Sequence, residues 1–198
     1  MNTYFVQRGS RESLIHAEKA VMETSLWGGN AGVSAFGQLV YDEKALYVRL
    51  EAVEAHIRAE NTEVSQEPCE DSCLEFFFSP VPGDRRYFNV EFNPNGLMFL
   101  GLATGIPDLV RLWPMEADLF AFSSEHTEGG WAITYEIPHE FIRRFFPSYE
   151  VKPGIAIRGN FYKCGDLTER PHFLAWNPFP EERHTFHDPD NFGEFCFV

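Results

Sequence analysis

Two stretches of alternating apolar and polar residues constrain the fold of this chain most. They span 71–78, which reads DSCLEFFF, and 87–93, which reads YFNVEFN. Alternation with a period of two is the signature of a half-buried β-strand. Between them, residues 81–84 read VPGD, which is a strong turn signal. The two stretches are therefore predicted to form a hairpin centred near Gly83.

The register of this hairpin places two carboxylates opposite each other. One face carries Leu74, Phe76, Phe78, Phe88, Val90 and Phe92, and the other carries Glu75, Asn89, Glu91 and Asn93. A hairpin centred near Gly83 puts Glu75 directly across from Glu91. Like charges in directly opposed positions destabilise a sheet. A face that carries them nevertheless indicates a surface that binds hydroxyl groups, a cation or both.

Length and composition favour an all-β fold. The chain has 198 residues, enough for one domain spanning 1–198 with a sizeable core. Its 20 phenylalanines, 13 prolines and 15 glycines suit short strands joined by turns. We predict an antiparallel two-sheet β-sandwich, jelly-roll-like, with one short helix. The helix is expected to begin behind Pro138, where Phe141, Ile142 and Phe145 have helical spacing.

The charge balance limits the classes of partner. The chain has 16 basic and 30 acidic residues, a net charge of −14, which repels nucleic acid and anionic membranes. No stretch approaches the roughly 20 apolar residues that a membrane span requires. Four cysteines are too few for a disulfide scaffold, and residues 1–8 show no signal-peptide pattern. The expectation is a cytoplasmic protein with reduced thiols, or a secreted one if an export signal precedes this sequence; the oligomeric state stays open.

A third alternating stretch, 155–163, supplies further polar groups. Its apolar positions alternate with Arg158, Asn160 and Tyr162, which share the other face. If this strand lies beside the hairpin, Arg158 would compensate the two opposed glutamates, because guanidinium pairs well with carboxylates. An ordered array of Arg, Glu and Asn side chains suits the directional hydrogen bonds that sugars require. The alternative is a solvated strand face with incidental ion pairs.

A Pro-rich segment near the C-terminus offers metal-ligand atoms. His184 and His187 lack helical spacing, so a transition-metal site formed with the neighbouring aspartates is disfavoured. The oxygens of Asp188 and Asp190 suit calcium, but the segment lacks the full pattern of an EF-hand loop. The sequence thus requires no cofactor, and calcium at Asp188 and Asp190 is the one that it leaves open.

Several short motifs occur in one order along the chain: Asp42, Leu46-Tyr47-Val48, the two hairpin strands, Gly96, Gly130-Trp131, Glu136-Ile137-Pro138, Asn160-Phe161-Tyr162-Lys163, His187-Asp188-Pro189 and Phe192-Gly193. With these motifs, the chain from about residue 27 to the C-terminus resembles the family nine carbohydrate-binding modules and their stand-alone relatives. The resemblance implies a β-sandwich that binds sugar without catalysis. It also implies a terminal sugar of xylan or cellulose held between two aromatic rings, and structural calcium is common in such modules.

The resemblance also assigns site positions. The polar sugar-contacting positions of the family match Glu75, Asn89 and Glu91. The two ring positions match Cys69 and Phe186, and Cys69 departs from the pattern because a thiol cannot stack on a pyranose ring.

Another aromatic ring would have to replace the one missing at position 69. Trp176 and Trp113 are the candidates, because each stands beside a proline or an Asn-Pro pair. Trp27 and Trp131 are interpreted as core residues. Phe186 is predicted to form a wall of the sugar site; the alternative is a loop anchor packed on the edge of the sandwich.

Three hypotheses for function follow. Non-catalytic binding of carbohydrate, of the xylan or cellulose kind, is the leading one. A glycoside hydrolase could use Glu75 and Glu91, since retaining enzymes hold two carboxylates about 5 Å apart. Two groups side by side on one sheet face, however, flank a glycosidic bond poorly. A protein-interaction domain on the same fold is the third, favoured by the absence of a ring at Cys69.

Overall fold

Most regular elements in the computed structural model are β-strands. The structure describes residues 1–112 and 119–198. The single α-helix of the described residues is α1, His139–Phe145, which follows Pro138 as the sequence predicts. Among these residues, no helix is both long and apolar enough to cross a membrane. The strands are β1 Thr3–Arg8, β2 Ala20–Val21, β3 Thr24–Leu26, β4 Ser34–Tyr41, β5 Ala45–Val53, β6 Cys73–Ser79, β7 Tyr87–Phe92, β8 Met98–Ala103, β9 Val110–Arg111, β10 Ser123–Thr127, β11 Gly130–Pro138, β12 Ala156–Cys164, β13 Phe173–Ala175 and β14 Gly193–Phe197. Short 3-10 turns span Arg11–His16, Pro68–Glu70, Ile106–Asp108, Glu181–Arg183 and Pro189–Asn191.

Strand β1 joins two layers into one curled sheet. One layer has the order β10-β11-β5-β4 and the other β14-β12-β6-β7-β8-β9. The first four residues of β1 pair with β14 and its last two residues pair with β4, in parallel both times. The all-β prediction is confirmed, but a purely antiparallel sandwich is wrong. Because β1 is shared between the layers, the sheet is mixed and forms a half-barrel.

The predicted inner face of the hairpin lies in the core between the layers. Leu74, Phe76, Phe78, Phe88, Val90 and Phe92 are all fully buried there. Strands β5 and β11 supply the facing side chains, including Trp131, whose core assignment is confirmed. The predicted register is confirmed as well, with Glu75 opposite Glu91.

The outer face of the same hairpin is covered by a second apolar layer. Its members come from the strands themselves and from the segment between β13 and β14: Cys73, Phe77, Tyr87, Tyr162, Phe179, Phe186 and Phe192. All seven residues of β6 are consequently buried. The polar residues of this face therefore lie in apolar surroundings rather than in water, which alternation alone does not reveal.

The contact between the layers is tight at Gly37. This glycine of β4 faces the ring of Phe161 on β12, and a Cβ at position 37 would lie 2.5 Å from the ring. We predict that Gly37→Ala lowers the free energy of unfolding by about 1–3 kcal/mol, because the core is overpacked. Urea unfolding measures the change.

Gly105→Ala is the matched control. The backbone of Gly105 is extended, with φ at 172°, and an added Cβ would meet nothing closer than Pro107 at 3.7 Å. Its effect should stay within about 0.5 kcal/mol. Equal losses in both variants would contradict the close packing inferred at Gly37.

Candidate functional site

A cavity of about 360 Å³ opens on the outer face of the hairpin. Its floor and rim carry acidic and thiol side chains: Cys69, Glu75, Glu91, Cys164 and Asp166. Its wall carries rings: Trp27, Phe173, His184, Phe186 and His187. Strands β6, β7 and β12 supply the floor, and the segments around β3 and between β13 and β14 supply the wall. An apolar wall above a polar floor suits a ligand with both kinds of surface.

The floor is built around the opposed glutamates. Glu75 is 2% exposed and Glu91 is 6% exposed. The Sγ of Cys164 donates a hydrogen bond to Glu75 Oε1 at 2.9 Å, and Asn89 Nδ2 donates one to Glu91 Oε1 at 2.8 Å. Among the described residues that line the cavity, none is a lysine or an arginine.

Burial changes the protonation of this pair. It raises the pKa of Glu75 to about 7. Burial, followed by the neighbouring charge of Glu75, raises the pKa of Glu91 well above its ordinary value. Two like charges in a shared desolvated site do not both ionise readily. Near neutral pH the pair therefore retains at least one proton, and the floor presents both a hydrogen-bond donor and acceptors.

Asn89 orients Glu91 rather than lining the cavity. A Cβ on the neighbouring strand at Gly101 would overlap Asn89 Oδ1, so only glycine leaves room for this side chain. Strand β8, which lies beside β7, thus leaves room for Asn89 because residue 101 has no side chain.

The aromatic wall is continuous. Phe186 stacks on Tyr162 with ring centroids 4.1 Å apart and planes 8° apart. The Trp27 ring lies 5.3 Å from Phe186, and His184 stacks on Trp27 at 6.0 Å. A sugar ring between two aromatic rings needs about 7–8 Å, twice an ordinary contact distance. Trp27 and Phe186 therefore lie on the same side of the cavity, and Cys69, where the resemblance implies a second ring, is also in the lining.

The structure brings Glu75, Glu91 and Phe186 to one cavity, but not Arg158 or Asn160. Arg158 lies opposite Ser79 on β6 and donates to the carbonyl oxygen of Phe192 at 2.5 Å. The expectation that Arg158 compensates the glutamates is wrong, because the strand register places it four residues along β12 from Tyr162, the partner of Glu75. The Asn160 amide exchanges two hydrogen bonds with the backbone of Asn177.

Trp176, one of the two tryptophan candidates for the second ring, is absent from the cavity lining that the structure describes. Trp176 packs in the core between the layers, against Tyr4, Phe161 and Phe195. Its backbone N–H donates to Phe161 O, so it extends the pairing of β13 with β12 by one residue, and its ring lies on the inner side. The prediction for Trp176 is therefore corrected. Trp113 lies outside the described residues.

Trp27 is the wall residue that the sequence analysis assigned to the core. It sits in a turn with φ at 38°, in the left-handed region that bulky residues rarely adopt. Its Nε1 donates to the carbonyl oxygen of Glu181 at 2.7 Å. The sequence does contain an indication that this ring lies outside the core, because Trp27 directly precedes Gly28-Gly29 and so falls in a turn rather than a strand.

The residues predicted for calcium do not fit that ion. Asp188 Oδ2 pairs with Arg183 at 3.0 Å, and Asp190 Oδ1 pairs with Arg85 at 2.6 Å. Each arginine supplies the positive charge that a calcium ion would supply. His187, by contrast, lines the cavity; burial lowers its pKa to about 4, and its Nδ1 lies 2.9 Å from the Tyr87 hydroxyl.

Comparisons with known proteins agree with this picture. The family model "Carbohydrate-binding family 9" matches residues 34–197. A comparison with curated proteins gives no match. A solved structure of a candidate carbohydrate-binding protein from Bacteroides uniformis ATCC 8492 is similar, with a TM-score of 0.81 and 24% identity, covering 100% of this chain and 98% of that one.

Two further similar structures contain ligands. Both are carbohydrate-binding modules of family 9 from Caldicellulosiruptor kristjanssonii. The one in complex with glucose has a TM-score of 0.73 and 15% identity, covering 100% of this chain and 96% of that one. The one in complex with cellotriose has a TM-score of 0.69 and 14% identity, covering 99% of this chain and 93% of that one. At these identities the likeness establishes the fold.

The raised pKa of Glu75 predicts a pH-dependent stability. The unfolded chain releases this proton near pH 4.5 and the folded chain near pH 7, so stability falls as pH rises through that window. Glu75→Gln removes this titration. The free energy of unfolding of this variant, measured relative to that of the wild type, should therefore be higher at about pH 8 than at about pH 5, by on the order of 1–3 kcal/mol. Urea unfolding in a buffer containing EDTA measures the difference.

The exposed Glu128 provides the control for this titration. Glu128→Gln should follow the wild-type pH profile. If the profiles of Glu75→Gln and the wild type ran parallel, Glu75 would not carry a raised pKa.

Proposed function

The chain belongs to carbohydrate-binding family 9, and we propose on that premise that its cavity holds the terminal ring of a xylan- or cellulose-like oligosaccharide. The family binds carbohydrate without catalysis. The observation that supports the proposal most is the combination of a buried carboxyl pair with an adjoining aromatic wall in one cavity.

A sugar presents two chemically different surfaces, and the cavity offers a match for each. The C–H face of a pyranose packs on aromatic rings, here Trp27 with Phe186 beside it. The hydroxyls need fixed donors and acceptors, which the Glu75 and Glu91 pair supplies because it retains at least one proton near neutral pH. Asn89 holds one of these carboxyls in place. Hydroxyl geometry would then be read at the floor, and ring size at the wall.

The size of the cavity favours a chain end. A volume of 360 Å³ is at the lower end of small-molecule sites, which span about 300–1,000 Å³. Such a volume suits one ring and part of the next rather than a long internal stretch. Since Cys69 stands where the family has a ring, stacking is on one side only, and the slot tolerates a bulkier sugar than a two-ring clamp.

The arrangement of the carboxylates disfavours hydrolysis. Glu75 and Glu91 are directly opposed on adjacent strands, so both approach a ligand from the floor. A glycosidase instead places its two carboxylates on either side of the scissile bond. The well-formed cavity also favours a small ligand over the protein-interaction hypothesis.

Loss of the Trp27 ring should weaken binding. Isothermal titration of the wild type with cellotriose is expected to show binding that Trp27→Ala reduces by roughly 1–3 kcal/mol, about 5- to 150-fold, by analogy with bases stacked on aromatic side chains. Trp176→Phe is the matched control, because it removes an indole from the core instead. This variant should melt at a lower temperature and keep its affinity within about twofold. If Trp27→Ala bound cellotriose with unchanged affinity, the aromatic wall would not be part of the sugar site.

The protein should release no product from glycosides. Purified protein incubated with xylan, cellulose and aryl-glycosides is expected to match a Glu75→Gln, Glu91→Gln double variant, since no carboxyl pair flanks a bound bond. Reducing-sugar and chromophore assays make the comparison. Turnover by the wild type that disappears in the double variant would establish a hydrolase.

A further inference from the structure

A cluster of side chains that could coordinate a metal ion lies beneath the cavity. Single ligand atoms of Cys73, Glu75 and Cys164 all lie within 4.8 Å of one another. The two cysteines are directly opposed on β6 and β12, and both are buried free thiols. Two adjoining strands, β6 and β12, hold these groups, and Glu91 on β7 lies opposite Glu75 on the other side.

The cavity lining beside these three groups carries acidic rather than basic side chains. Glu91 and Asp166 lie on the same cavity floor and rim, and the described lining contains no lysine or arginine. Lys163 precedes Cys164 but points to the opposite side of the sheet, where its Nζ lies 3.3 Å from Glu54.

We propose that Cys73, Cys164 and Glu75 bind a zinc ion at the floor of the cavity, with a fourth coordination position open toward the cavity. Two sulfur donors and one carboxylate select a soft, tetrahedral ion over calcium or magnesium. As each Sγ–Zn bond forms, the thiol releases its proton to solvent, and the ion supplies the positive charge that the floor lacks.

The geometry requires only a small adjustment. Zinc lies about 2.3 Å from sulfur and 2.0–2.2 Å from carboxylate oxygen. Neighbouring donors of a tetrahedral zinc ion are then about 3.5–3.8 Å apart. The three ligand atoms already lie within 4.8 Å, and Cys164 Sγ to Glu75 Oε1 is 2.9 Å. This site is separate from Asp188 and Asp190, and its existence does not depend on sugar binding.

Cobalt titration of the reduced, metal-free full chain tests the proposal, with no sugar present. One equivalent of Co²⁺ should produce thiolate-to-cobalt charge-transfer absorption together with the visible bands of a tetrahedral ion, and excess zinc should remove both. Cys73→Ser, Cys164→Ser and Glu75→Gln should each weaken cobalt binding at least tenfold. Cys196→Ser is the matched control, since Cys196 on β14 lies outside the cavity lining, and it should bind as the wild type does.

Two results would overturn the proposal. One is the absence of charge-transfer absorption in the wild type at stoichiometric cobalt. The other is an unchanged spectrum in both serine variants at positions 73 and 164. If those variants fail to fold, the wild-type spectrum and the Glu75→Gln titration decide alone. Because no sugar enters the measurement, a negative result here leaves the proposed carbohydrate binding untouched.

Discussion

The opposition of Glu75 and Glu91 in a desolvated register is the constraint on which the site depends. The register is set on the other side of the hairpin, where Leu74, Phe76 and Val90 are fully buried between the layers. A slip by one residue would exchange the two faces and place both carboxyls in that core. The apolar inner face therefore enforces a carboxyl contact that is unfavourable by itself.

The covering layer determines what this pair can do. On an exposed strand face, two glutamates would ionise independently and interact weakly through water. Here Phe186 and its neighbours exclude water from one side of the pair, so a proton is retained and the floor becomes both donor and acceptor. The same desolvation acts on Cys73 and Cys164. A ligand that brings hydroxyls or a cation can satisfy groups that solvent cannot reach.

Local patterns predicted the local features of this molecule. The parity of 71–78 and 87–93, together with the turn at Gly83, was sufficient for the hairpin, its faces and the Glu75–Glu91 pair. Parity gives the face of a side chain but not its position along a neighbouring strand. Arg158 has the correct face, yet the pairing of β12 with β6 places it beside Ser79.

The wall could not be predicted in the same way, because it depends on contacts between distant segments. The Trp27 indole donates a hydrogen bond to the backbone of Glu181, more than 150 residues further along the chain, and packs against Phe186. Position 69, where the resemblance implies a ring, is a cysteine, and no local signal indicates that a tryptophan from another turn adjoins Phe186.

A crystal structure of the protein with cellotriose tests the central claim most directly, because it locates the sugar. We expect the terminal sugar ring to pack against Trp27, with its hydroxyls within hydrogen-bond distance of Glu75 or Glu91. Cellotriose bound at another surface, in a crystal in which this cavity is open to solvent and contains no sugar, would contradict the proposed site.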